Sequence, residues 1–275
     1  MKELSLREIK DIELKILMDF KSFCEKNQIK YYLAYGTLLG AIRYKGFIPW
    51  DDDIDVLVPR QDYNRIMEIY KNHDNLKLFS IERTTHYGYP FAKLCDITTR
   101  KVEDNLENGF DQGIEIDIFP IDYWHDDIEK AKSEVRRLKQ YHKRLTFSKL
   151  RPTKARNRFR LLGLTCITRF HRMIGTKHYI DNIIKFCHRK EKTGSLYAGN
   201  KVWCPYGERD ICPAEVFSDS VKVEFEGQEF PAPIGYDTYL TRLYGDYLPE
   251  PPKEKQKTHH TFKAYRISDG YYEAE

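Results

Sequence analysis

The stretch that most constrains this chain is Asp51-Asp52-Asp53-Ile54-Asp55-Val56-Leu57-Val58, where four acids in five positions run directly into an apolar sequence closed by Pro59. In an extended strand, side chains two residues apart share a face, about 6.6 to 6.8 Å apart along the chain. Asp53 and Asp55 are therefore expected to point the same way, with Ile54, Val56 and Val58 anchoring the strand in a core. An isolated Asp-x-Asp is ordinarily just solvated at a strand end. Here the acids sit at the mouth of a buried-strand pattern, where two neighbouring anions call for a cation. Their hard oxygens suit Mg²⁺ or Mn²⁺. A second segment, Gly113-Ile114-Glu115-Ile116-Asp117-Ile118-Phe119, repeats the alternation and is expected to end at Pro120. Asp117 is the third candidate ligand, with Glu115 in reserve.

The surrounding pattern is that of a mixed α/β (α+β) fold. Ser5-Leu6-Arg7-Glu8 fits a capping box, and the apolar spacing predicts a helix over 5 to 27. A short strand at 31 to 34 leads into Gly36-Thr37-Leu38-Leu39-Gly40, expected to form a tight turn before a helix start, where anionic groups are often held. A helix over 60 to 71 and strands at 76 to 82 and 89 to 98, the last carrying Lys93, follow. Near the end, Tyr236 to Tyr244 reads as a helix capped by Gly245.

Charge is distributed unevenly. Residues 130 to 192 hold 20 Lys/Arg against 3 Asp/Glu, although the whole chain nets only +4. This segment reads as a basic helical subdomain over 126–192, between a catalytic core at 1–125 and a C-terminal segment at 193–275 packing on that core. Leu161, Leu162, Leu164, Ile167, Phe170, Met173 and Ile174 lie among Arg158, Arg160, Arg169 and Arg172, as in a helix resting on an anionic membrane surface. A solvated face and a polyanion-binding surface are the other readings, and the scarcity of stacking aromatics argues against nucleic acid. The six scattered cysteines form no close pair, and no stretch reads as a signal peptide or spanning helix. The expected location is the cytoplasm, at the inner face of the membrane.

The wording around the acids is more specific than their spacing. Tyr35-Gly36-Thr37-Leu38-Leu39-Gly40-Ala41-Ile42-Arg43, then Gly46-Phe47-Ile48-Pro49-Trp50-Asp51-Asp52-Asp53-Ile54-Asp55, resembles the LicD family of phosphotransferases, related to the fukutin proteins and built on the nucleotidyltransferase fold. The resemblance continues through Phe91-Ala92-Lys93-Leu94, Ile116-Asp117-Ile118-Phe119-Pro120-Ile121-Asp122 and Tyr244-Gly245-Asp246-Tyr247, and fades over the basic segment. It implies a small mixed sheet flanked by helices. It also implies transfer of phosphocholine, or a similar phospho-substituent, from a CDP-linked donor to a sugar hydroxyl of a glycan or lipid-linked glycan precursor, such as teichoic acid or lipopolysaccharide.

In that scheme Asp53, Asp55 and Asp117 form the metal and catalytic centre. Gly36 and Thr37 would offer a backbone N–H and a hydroxyl to donor phosphate. Arg43 and Lys93 are candidate phosphate cations, although each is equally expected to pair with a nearby acid. His259, beside His260 in the tail, is a candidate acceptor contact. The rival chemistries are nucleotidylyl transfer with release of pyrophosphate, and a non-catalytic polyanion-binding role. Trp203-Cys204-Pro205-Tyr206-Gly207 receives no role.

Overall fold

The computed structural model describes residues 2–103, 113–152, 158–188, 195–257 and 262–267. The elements in chain order are β1 (Lys2–Glu3), α1 (Leu6–Asn27), β2 (Tyr32–Leu33), α2 (Tyr35–Tyr44), β3 (Asp55–Pro59), α3 (Arg60–Ile69), β4 (Leu76–Phe79), β5 (Ala92–Asp96), β6 (Thr99–Glu103) and β7 (Ile114–Tyr123). Three helices follow, α4 (Ile128–Lys149), α5 (Arg158–Ile174) and α6 (Thr176–His188). The chain then forms β8 (Tyr197–Gly199), β9 (Cys212–Pro213), β10 (Ser220–Phe225), β11 (Gln228–Pro233), α7 (Tyr236–Tyr244) and β12 (Phe262–Arg266).

The central sheet runs β2-β3-β7-β5-β4, with β8 and β9 continuing from the far end of β7. Among the described strands, β3 and β7 alone pair in parallel; the other ladders are antiparallel. This is the expected mixed α/β architecture. Helix α1 begins at the expected capping box, Ser5 N donating to Glu8 Oε2 at 2.9 Å and Glu8 N to Ser5 Oγ at 3.3 Å. It buries Ile9, Ile12, Ile16, Leu17 and Phe20 and packs along β7 and β5.

Three expectations are corrected. Strand β3 is assigned from Asp55, so Asp53 lies just before it, although Ile54 O already accepts from Asp117 N at 2.9 Å. Helix α2 begins at Tyr35, which puts Gly36 and Thr37 inside its first turn. Tyr35 itself makes the bend, with φ of 46°. Finally, β7 does not end at Pro120 but runs on to Tyr123. The reason lies in the two-residue alternation of the strand. Asp117 N points at β3, so the nitrogen of Pro120 points to the opposite side. On that side pairing with β5 stops at Ile118 and pairing with β8 starts at Asp122. The proline falls in the gap, where its missing N–H removes no ladder bond.

Just past that gap, Asp122 receives both Nε and Nη2 of Arg60, at 2.7 and 2.6 Å. Arg60 opens α3, and the Asp122 side chain is 1% exposed. Burial on its own would lower the Arg60 pKa, but the facing Asp122 outweighs it and drives the guanidinium further toward the charged form. Removing one partner of a buried pair strands the other charge, at a cost of about 3 to 5 kcal/mol. Arg60→Leu is expected to lower the unfolding free energy by that amount in urea titrations. Arg60→Leu with Asp122→Leu is expected to recover most of it, because the residual charge is gone.

Candidate functional site

Register places the charged groups in a row. In the parallel ladder Asp55 lies opposite Asp117, and in the antiparallel ladder Asp117 lies opposite Lys93. Side chains directly opposite one another share a face. Asp55, Asp117 and Lys93 therefore stand side by side across β3, β7 and β5. Two residues back along β7, Glu115 extends the row into a chain of alternating charge. Lys93 Nζ lies 2.5 Å from Asp117 Oδ1 and 3.2 Å from Glu115 Oε1, and Lys101 Nζ lies 2.7 Å from the same Glu115 oxygen.

The electrostatics are set by crowding at the bottom of a cleft. Burial, then the neighbouring Asp53, Asp117 and Asp51, push the Asp55 carboxyl well above its ordinary value, with Lys93 opposing. Burial raises Asp117 as well, against the pull of Lys93. For Lys93, burial works against the charge, and Asp117 with Glu115 more than restore it, so its pKa lies well above the usual lysine value. Lys93 is thus a fixed cation beside Asp117. Asp117 is thereby paired with that lysine. Among the described residues no three His, Cys, Asp or Glu side chains converge closely enough to hold an ion by themselves.

The other expected residues are placed as follows. Gly36 lines the cleft, and a Cβ there would meet Asp51 Oδ2 at 2.7 Å. Glycine at this position lets Asp51 fold over the start of α2. Thr37 is buried, and its hydroxyl accepts from Asp55 N at 2.8 Å. That fixes the entry of β3 and leaves the hydroxyl hydrogen as the group the expected contact with donor phosphate would use. Arg43 lines the cleft while donating from Nε to Tyr247 O and from Nη2 to Pro249 O at 2.7 Å. It ties α2 to the segment after α7 and makes no pair with an acid of its own turn. His259 lies outside the described residues.

Several lining residues escaped the sequence reading. Glu13 on α1 is 3% exposed, lines the cleft, and leaves Oε2 without a hydrogen-bond partner. Burial, then Asp53, raise its pKa well above the ordinary value. Its signal was available: it is the one charge on the otherwise apolar stripe of α1. Tyr206 and Trp203, in the segment given no role, also line the cleft. Tyr206 stacks on Tyr35 with ring centroids 5.7 Å apart, and its hydroxyl donates to that of Tyr244 at 2.9 Å. Trp203 meets Phe91 edge-on at 5.2 Å. No spacing rule links residues so far apart in sequence. From α4, Leu145, Thr146 and Lys149 complete one wall. The cleft encloses about 1320 Å³.

Comparison with known proteins bears directly on this cleft. The family described as LicD/FKTN/FKRP, nucleotidyltransferase domain, matches residues 28–161, which include Asp53, Asp55, Lys93 and Asp117. The lipopolysaccharide cholinephosphotransferase LicD of Haemophilus influenzae is 33% identical over 272 residues, covering 96% of this chain and 99% of that protein. Shorter matches are to uncharacterized proteins of Rickettsia prowazekii, 38% identical over 22% of this chain and 23% of that protein, and of Rickettsia typhi, 41% identical over 20% and 18%.

The raised Asp55 carboxyl has a consequence for stability. A carboxyl whose folded pKa exceeds its unfolded value costs nothing while it is protonated in both states. It destabilises the fold increasingly as pH rises from the unfolded value through the folded one. In metal-free buffer, Asp55→Asn is expected to match the wild-type melting temperature near pH 3.5 to 4, the ordinary Asp range. It is expected to exceed it by several degrees at neutral pH, as followed by thermal denaturation across the range. An equal melting temperature at both ends would mean that Asp55 is not crowded by its neighbours.

Proposed function

The chain belongs to the LicD family and is a phosphotransferase, and on that premise we propose that it moves phosphocholine, or a similar phospho-substituent, from a CDP-linked donor to a sugar hydroxyl of a bacterial surface glycan precursor. The observation that carries the reading is the row Asp55–Asp117–Lys93 with Asp53 at its mouth. It joins a crowded anionic edge to a carboxylate held by a fixed lysine. The relative named for cholinephosphate transfer to lipopolysaccharide matches nearly end to end, which favours lipopolysaccharide over teichoic acid as the acceptor class.

The donor set fits Mg²⁺ or Mn²⁺. It consists of hard oxygens, and the mutual repulsion of Asp53 and Asp55 is what a divalent ion would relieve. Two carboxylates with donor phosphate oxygens and water make a usual Mg²⁺ environment, so a preformed cage of three acids is not required. When bound, the ion would neutralise charge on the diphosphate.

The protein's own groups supply positioning and proton handling. Asp117 would accept the proton of the acceptor hydroxyl, since burial raises its basicity against the pull of Lys93, which holds the carboxylate in place. The hydroxyl oxygen attacks the phosphorus bearing choline, the bond to the bridging oxygen breaks, and CMP leaves with that oxygen. In-line displacement of this kind depends mainly on alignment and charge neutralisation. The cleft, at about 1320 Å³, exceeds the roughly 300 to 1,000 Å³ usual for one small ligand and has room for donor and acceptor together.

The test is CMP release from CDP-choline with Mg²⁺ and a lipopolysaccharide extract. Wild type is expected to release CMP only when acceptor and metal are both present. Asp53→Asn and Asp55→Asn are expected to lose on the order of 10³-fold in rate, the scale at which preorganised electrostatic groups act. Release of pyrophosphate instead of CMP would replace this reading with nucleotidylyl transfer.

A further inference from the structure

Helix α5 carries four arginines and no acid, and although Leu161 and Leu164 are half-buried on its inner side, its larger apolar arc is turned outward. At 100° per residue, Phe159, Leu162, Cys166, Phe170 and Met173 fall within an arc of about 80°, which Ile167 and Ile174 widen to about 140°. That arc faces away from the protein: Phe159 is 87% exposed, Met173 82%, Leu162 63% and Phe170 61%. The opposite side, which packs against α4 and α6, is the more polar one. Thr168 is 3% exposed there. His171 stacks on Phe147 of α4 at 5.6 Å and meets the Tyr179 hydroxyl at 2.7 Å. An amphipathic helix of a water-facing domain has the reverse arrangement.

We propose that α5 is a docking helix that lies in the plane of an anionic phospholipid membrane, its apolar arc set among the acyl chains and its arginines at the level of the headgroup phosphates. Arg160 and Arg169 fall on opposite edges of the arc, where such a helix needs its cations. Seventeen residues span about 25 Å, short of the roughly 30 Å hydrocarbon core, and no described helix is long and apolar enough to cross a membrane. The helix therefore lies on the surface. Charge selects lipid over a second copy of the chain. A two-fold pairing of this face would bring together two segments that each hold 20 Lys/Arg against 3 Asp/Glu, whereas an anionic leaflet neutralises them. The helix beneath this face also forms part of the cleft wall. Helix α5 packs on α4, whose Leu145, Thr146 and Lys149 line the cleft, and Arg172 donates to Leu150 O at 3.0 Å, just past the end of α4.

The experiment is flotation of the intact protein with vesicles of phosphatidylcholine containing phosphatidylglycerol, and with phosphatidylcholine alone. Wild type is expected to float with the anionic vesicles and at least tenfold less with the neutral ones. Phe170→Ser with Met173→Ser is expected to lose at least tenfold of the bound fraction with an unchanged melting temperature, because both side chains stand in solvent. In a separate variant, Phe170→Trp, emission is expected to shift to the blue on adding anionic vesicles. Failure to float with anionic vesicles, or undiminished binding by the double variant, would overturn the proposal. So would a dimer in sedimentation that the double variant dissolves while vesicles capture neither protein. None of these readouts depends on the transfer chemistry, so failure here leaves the proposed reaction untouched, and failure of that reaction leaves the docking result standing.

Discussion

Parallel pairing of β3 with β7 sets Asp55 beside Asp117 at the spacing of neighbouring strands, and most of the site follows from how the fold tolerates that contact. Two carboxylates roughly 5 Å apart repel by about 3 kcal/mol at an effective dielectric near 20. The repulsion is answered most directly from the β5 side. Lys93, held opposite Asp117 by the antiparallel partner strand, neutralises the central acid and is steadied by Glu115. On the side of Asp55, Asp53 and Asp51 add further negative charge, with Lys10 near Asp51. The sheet thus builds a gradient, from a satisfied ion pair to an anionic edge. A divalent cation bound to a substrate phosphate would complete that edge.

Holding such an edge requires the backbone around it to be fixed by something other than the acids. Thr37 does this for Asp55 through a hydrogen bond to its N–H. Tyr35 does it for the start of α2, at the cost of a left-handed conformation that a bulky residue rarely adopts. Its ring is held between Tyr206 and Phe119, and its hydroxyl donates to Asp210 Oδ1 at 2.9 Å. Asp210 is itself buried, which pushes its carboxyl up to about 7 against the hydrogen bonds it accepts from Tyr35, Tyr206 and Gly207. Strain at Tyr35 is therefore sustained by residues more than 170 positions later, and the C-terminal third of the chain is part of the site's frame.

What the sequence made legible was local. The capping box of α1, the alternation in β3 and β7 and the Gly245 stop after α7 are each decided by residues within a few positions of one another. Cross-strand order was not legible, because pairing Asp117 with both Asp55 and Lys93 depends on which strands become neighbours. The same limit hid the roles of Thr37 and Arg43. Their chemistry suited a phosphate, but their partners, Asp55 N and the carbonyls of Tyr247 and Pro249, come from elements whose positions only the fold decides. Pro120 misled for a related reason: a proline ends a strand unless its nitrogen faces a gap between partners, and that gap is a property of the whole sheet. Glu13 differs, since a lone carboxylate on an apolar helical stripe is a local signal.

The basic helices complete the argument from the outside. A helix that turns Phe159, Leu162, Phe170 and Met173 outward and only half-buries Leu161 and Leu164 on its inner side contributes little to a hydrophobic core, so packing within the chain does not explain the pattern of α5. Large contiguous apolar surface on an otherwise charged protein marks a surface made for contact. Helix α4 both carries α5 and supplies Lys149 to the cleft wall, so a surface that seats the outer face of α5 would be linked to the cleft through a single helix. For a bilayer-borne acceptor, that arrangement would make the approach to Asp117 a search along a surface, in place of a search through the bulk.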